Sequence, residues 1–308
     1  MSLTRASIAF ARVERRAPRV VKTRARRCAS IATAGADDVN DPVERSDVSL
    51  SLARAALGMI EANDVVGLSR GEHCAALARM LGDARRDGAL AGVRAVPLDT
   101  VAAKECAVSG VDVRGLDEVP AITITFAQPS ECAEVRVNGE RSFAAVFGRE
   151  PTPVQPDVER VKETLRKSLK VVLLKELLVE KIGGCVPVVV DAENWEEHAE
   201  ELDDLFLGDA EVWRRGSTFD ANPRGGNAPY VSPDGSHTIL DLRFEDPING
   251  GRWECGLMLD GEPCTPYDLQ YALENDVSSV RAHGIYTQAD AVITLNPQNL
   301  EVQTLTRD

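Results

Sequence analysis

Residues 65 to 73 read VVGLSRGEH. An apolar run breaks at Gly67, crosses Ser69 and Arg70, meets Gly71 and enters a stretch with helical patterning. Strand, glycine loop and helix start in that order make an anion cradle. The first N–H groups of a helix lack intrahelical partners, and the aligned peptide dipoles leave partial positive charge there. Ser69 adds a hydroxyl, and Arg70 a guanidinium suited to phosphate oxygens. Glu72, in the first turn, works against this: a carboxylate satisfies the same helix end, worth ~0.3–1 kcal/mol at an exposed site, and repels a dianion. The residues thus describe a phosphate loop whose charge context is weakened, with Glu72 expected to cap the helix in the anion's place.

Other chemistry-bearing residues are sparse. The seven cysteines (Cys28, Cys74, Cys106, Cys132, Cys185, Cys255 and Cys264) form no C-x-x-C pair and no Cys/His cluster at zinc spacing. They read as reduced, mostly buried thiols, with no metal site and no cofactor called for. The net charge is −14, although residues 1–35 hold nine Lys or Arg against the single acid Glu14. That Arg-rich, acid-poor, hydroxylated segment suits an organellar transit peptide, the alternative being a basic arm for nucleic acid or anionic lipid. The strongly acidic remainder disfavours nucleic acid as a partner. No window approaches the ~18–20 consecutive apolar residues of a membrane span, so no membrane partner is expected.

The elements that must position these groups follow from periodicity. After a linker at 36–46, SLARAALGMIEAN places Leu52, Ala56 and Ile60 on one helical face, and DVVGL follows as a buried strand. EHCAALARMLGDARR reads as a helix, GVRAV as a strand, DTVAAKECAVSG as a helix begun by Asp99 and ended by Gly110, and AITITF as a strand. Residues 128–157 interrupt the alternation with a hairpin around Asn138-Gly139. Helix and strand then resume in PDVERVKETLRKSL and KVVLL. From Cys185 a strand, an acidic helix, a strand, a hairpin turning at Pro233-Asp234-Gly235, and a helix capped by Thr265 outline a smaller α+β unit. The expected fold is α/β: a Rossmann-like, doubly wound, mostly parallel sheet with a ferredoxin-like α+β lid. Residues 47–184, completed by 283–304, form the larger domain, and 185–282 the smaller. The glycine-rich insert 246–264, with Trp253 and Met258, reads as a hydrophobic plug or as a binding loop for a partner protein.

Four segments in this order resemble the type A ribose-5-phosphate isomerase family: LARAALGMIEANDVVGLSRGEH, VPVVV at 186–190, PDGSHTILDLRF and HGIYTQADAVI. The family works without a metal. A carboxylate moves a proton between C1 and C2 of ribose 5-phosphate, and neighbouring acids and a lysine assist. Its Asp-Gly-Ala-Asp-Glu segment is replaced here by Phe126-Ala127-Gln128-Pro129-Ser130-Glu131, where Glu131 is the only carboxylate. Its Lys-Gly-Gly-Gly loop is replaced by Gly148-Arg149-Glu150. The base glutamate falls near Glu159 or Glu163, both of which read equally well as solvated helix positions. The resemblance implies a phosphate loop of Gly67, Ser69, Arg70 and Gly71, with Asp99 and Thr100 at a substrate-contacting strand end, although Asp99 needs no role beyond helix capping. His283, in the closing motif, faces the cleft or is simply hydrogen-bonded at a strand end. The implied protein is a homodimer or tetramer that handles ribose 5-phosphate or ribulose 5-phosphate in pentose phosphate or carbon fixation chemistry. It is expected in the chloroplast stroma, with the mitochondrion as second choice. Loss of residues that act as a unit favours a sugar-phosphate-binding or scaffold descendant with weak or no activity. An active isomerase built on Glu131, Arg149 and Glu150 is the alternative.

Overall fold

A computed structural model of the chain describes residues 42–137, 139–149, 154–206, 210–218, 228–244 and 264–308. The basic segment 1–35, Glu150, Trp253 and Met258 lie outside these residues. The chain runs α1 (Pro42–Leu57), β1 (Val65–Leu68), α2 (Glu72–Arg86), β2 (Arg94–Pro97), α3 (Thr100–Ser109), β3 (Asp112–Val113) and β4 (Ile124–Ala127). A hairpin of β5 (Glu131–Val137) and β6 (Glu140–Val146) precedes α4 (Val158–Arg166) and β7 (Val171–Leu174). Then come β8 (Gly184–Asp191), α5 (Trp195–Phe206), β9 (Ala210–Arg214), β10 (His237–Phe244), α6 (Pro266–Asn275) and β11 (Ala282–His283). The described chain closes with β12 (Ile285–Tyr286), β13 (Ala291–Leu295) and β14 (Val302–Thr306).

Seven strands form the main sheet in the order β14-β13-β7-β4-β1-β2-β3, parallel except where β14 turns back along β13. The chain winds outward from β1 through β2 to β3, then returns to place β4 on the other side of β1. The switch in winding direction between β1 and β4 opens a crevice at their carboxyl ends, where open α/β sheets take ligands. Strands β1, β4, β7 and β13 are buried at every position because both faces are covered. Val172 and Leu174 pack with Leu52, Leu77 and Leu81 of α1 and α2. Val171 and Leu173 point the other way, to Val161 and Leu165 of α4 and to Phe143 of the hairpin.

A second sheet, β11-β8-β10-β9, is antiparallel throughout. Its order of elements, strand-helix-strand-strand-helix-strand, is ferredoxin-like. Helix α6 starts with the expected Thr265 cap, completed by Asp268 as a reciprocal capping box. The hairpin joins the two halves, and alternate residues serve different cores. Ala133, Ala144 and Val146 pack on the second sheet, while Cys132, Phe143 and Ala145 pack on the first. Residues 41–308 accordingly behave as one compact unit.

Several local expectations differ from the structure. The linker at 36–46 gives way to helix at Pro42, with proline at the first helical position, where its missing N–H costs nothing. The first arm of the turn at 233–235 is not a strand; it makes one bridge, Gly216 to Pro229. The strand read as AITITF starts at Ile124, and the two-residue β3 was not anticipated. Among the described residues no helix is long and apolar enough to cross a membrane.

Candidate functional site

A cavity of about 180 Å³ opens at the β1/β4 switch point, lined by Ser69, Arg70, Gly71, Asp99, Gln128 and Ser130 among others. Gly71 stands before α2 with φ +123°, a conformation that favours glycine, and caps the helix with no side chain of its own. The free helix end is met from β4. Gln128 Oε1 accepts a hydrogen bond from the His73 N–H at 2.9 Å. A Cβ built on Gly71 would fall 2.3 Å from that same oxygen. Glu72, the expected cap, is exposed and makes no capping bond. The position an anion would take at this helix start therefore holds a neutral amide carbonyl of the chain itself.

The remaining loop residues turn inward. Ser69 Oγ accepts from the Gln128 N–H at 2.8 Å and donates to the Arg70 carbonyl at 2.9 Å. Arg70 forms an ion pair with Asp99 and donates to the carbonyls of Val154 (2.7 Å) and Gln155 (3.1 Å). Asp99 also caps α3 through the Ala102 N–H at 2.8 Å. Arg70 is thus neutralised by a buried carboxylate and committed to the chain segment across the crevice. Burial pushes the nearby Cys74 thiol up to about 11, so it is not a nucleophile at neutral pH.

Two of the anticipated loop positions lie elsewhere. Gly67 is a buried strand residue of β1, paired with Thr125, and a Cβ there would meet Thr125 Oγ1 at 2.1 Å. It permits close approach of strands rather than phosphate contact. Thr100 opens α3, is exposed and does not line the cavity.

Glu131 and Arg149 do meet. Arg149 Nη1 lies 2.8 Å from Glu131 Oε2, an oxygen that also accepts from the Gly183 N–H at 3.1 Å. The same guanidinium donates to the carbonyls of Cys185 (2.8 Å) and Gly183. The pair braces the hairpin against the start of β8, with its charges mutually satisfied. Asp99 is the one carboxylate among the described lining residues. Glu159 is paired with Arg281 at 2.7 Å, and the side chain of Glu163 is 61% exposed, so both helix glutamates are surface groups. His283 is buried against Lys162 (2.7 Å) and Glu274 (3.2 Å). Phe147 lines the cavity, while Phe126 lies in the sheet core.

Gln128 was the residue sequence reasoning missed. Its signal lies in strand pairing: once Leu68 is registered against Phe126, the residues just past each strand must face each other across the switch point.

This is a Rossmann-like α/β protein with a ferredoxin-like second unit. No family model matches the chain. It is 28% identical over 262 residues to ribose-5-phosphate isomerase A of Thermococcus kodakarensis, covering 83% of this chain and 96% of that protein. The solved ribose 5-phosphate isomerase A of Methanocaldococcus jannaschii superposes with a TM-score of 0.65 at 21% identity, over 85% of this chain and 99% of the other. A solved D-ribose-5-phosphate isomerase in complex with phospho-erythronic acid also gives 0.65, at 22% identity over 85% and 98%. In sequence and in fold the chain is thus similar to type A ribose-5-phosphate isomerases, at a divergent level of identity.

Proposed function

We propose that this chain is a sugar-phosphate-binding or scaffolding descendant of the isomerases, with weak or no isomerase activity of its own. The observation that carries the reading is the Gln128 carbonyl seated on the α2 N-terminus. An incoming phosphate must displace it, and Arg70 is already paired with Asp99. The relative solved with phospho-erythronic acid supports a sugar phosphate as the ligand class. Aldose–ketose isomerisation needs a carboxylate within hydrogen-bond reach of the proton it moves, with a cation or donor near the developing oxyanion. Glu131 and Arg149 have these charges, but they neutralise each other and hold the backbone of Gly183 and Cys185.

The test is conversion of ribose 5-phosphate to ribulose 5-phosphate by the purified chain, beside a Glu131→Gln variant. Turnover indistinguishable from blank, with a folded protein, is the expected result. Turnover that persists through purification and collapses in the variant would overturn the reading and establish an active isomerase with substituted residues.

A plastid location is part of the proposal, supported by the basic composition of residues 1–35. Those residues fused to a fluorescent reporter are expected to direct it to chloroplasts; delivery to mitochondria, or retention in the cytosol, would count against the proposal.

A further inference from the structure

His73 has two faces. Its backbone N–H serves the cradle, while its ring lies on the far side of α2 with only 1% of the side chain exposed. Ser49 Oγ of α1 stands 2.9 Å from Nδ1. On the other ring nitrogen, Nε2 is buried and makes no aligned hydrogen bond. Glu176 Oε1, just past β7, lies 3.0 Å from Nε2, an ion-pair distance without hydrogen-bond direction. Glu72 brings a second carboxylate, so one imidazole nitrogen and two carboxylate oxygens lie within 4.8 Å of one another.

The geometry points to a divalent transition-metal site formed by Glu72, His73 and Glu176. Imidazole with carboxylates suits Zn²⁺ and its first-row neighbours better than Mg²⁺ or Ca²⁺, which take oxygen shells. Bonds of about 2.0–2.2 Å place tetrahedral ligands about 3.4 Å apart, so the donor set must tighten. The exposed Glu72 can move without disturbing the core. A proton on Nδ1 donated to Ser49 leaves the Nε2 lone pair facing the carboxylates, the outer-shell arrangement that orients metal-bound histidines.

Opposing charges are present. The α2 N-terminus disfavours a cation, and Lys175 Nζ lies 3.7 Å from Glu176 Oε2, the oxygen turned away from His73. Two carboxylates outweigh one ammonium. The site would tie the start of α2 to the segment after β7.

The test uses the full chain, stripped with a chelator and titrated with Co²⁺ while visible absorption is recorded, with Zn²⁺ as competitor. One equivalent of Co²⁺, displaced by Zn²⁺, is expected. Glu176→Gln and Glu72→Gln should each weaken binding at least tenfold, and Ser49→Ala should weaken it ten- to a hundredfold. Glu72 is exposed and outside the core, so its variant remains informative if substitutions at buried positions impair folding. Absent binding, binding unchanged by Glu72→Gln and Glu176→Gln, or a spectrum with thiolate charge-transfer bands would each overturn the proposal.

Discussion

Replacing Gln128 with alanine removes the carbonyl that satisfies the His73 N–H and opens the start of α2. An unmet, partly buried backbone donor costs about 1–3 kcal/mol. Taking ~2 kcal/mol, and about 2–4 °C per kcal/mol for a unit of this size, the melting temperature should fall by about 4–8 °C. Inorganic phosphate then has an uncontested helix end. If it binds the variant with a dissociation constant of ~1 mM, 20 mM phosphate returns about 1.8 kcal/mol, or about 4–7 °C. In the parent protein the phosphate must first displace the amide. The same ~2 kcal/mol raises the apparent constant about thirtyfold and leaves a response of about 1 °C. Thermal unfolding followed by circular dichroism, with chloride matching the ionic strength, reads both numbers. Equal phosphate responses in parent and variant, or none in the variant, would refute the idea that Gln128 occupies the anion's position.

Arg149→Ala should cost about 2–4 kcal/mol, because it strands Glu131 and two backbone carbonyls together; chemical denaturation measures it. Arg149→Lys should recover little, since an ammonium cannot reproduce the planar fork. Stability should also fall with acid. The hydrogen bond from His283, outweighing burial, with help from Lys162, holds Glu274 at about 2, and Glu176 is likewise at about 2. Both bind fewer protons folded than unfolded, so their stabilisation is complete above the ordinary 4.5 and is lost as pH falls from there towards 2. Burial lowers the His283 pKa from its ordinary 6.5, so staying neutral adds a loss that begins below about 6.5. Urea midpoints across pH 3–8 test both; a flat profile from pH 7 to 3 would contradict them.

Much of the fold could be read locally. Helix α2 spans the residues its apolar spacing marks, α3 is bounded by Asp99 and by Gly110 at φ +77°, and Thr265 with Pro266 announces α6. These features depend on contacts within a few residues. The candidate site depends on contacts at long range. Gln128 meets His73 across 55 positions, and Arg70 meets Gln155 across 85. A glutamine after a strand carries no mark of that use, and Arg70 looks free in sequence because its partners, the Asp99 carboxylate and two backbone carbonyls, come from distant segments. Glu131 and Arg149 stand out in sequence as a carboxylate and a cation, but sequence could not show that they pair, or that two further carbonyls and an N–H complete their bonding.

The position of β13 bears on how the chain is made. Strand β7 ends at Leu174, but its neighbour begins only at Ala291, and β14 follows that. At about 5–20 residues per second, a ribosome needs roughly 6–23 s to cover the gap. Through that interval the nascent sheet offers Val171–Leu174 as an open apolar edge, a template for pairing with the wrong chain. Deleting the final twenty residues would make that temporary edge permanent. Such a truncated chain should collect in aggregates, whatever the state of the crevice at β1 and β4.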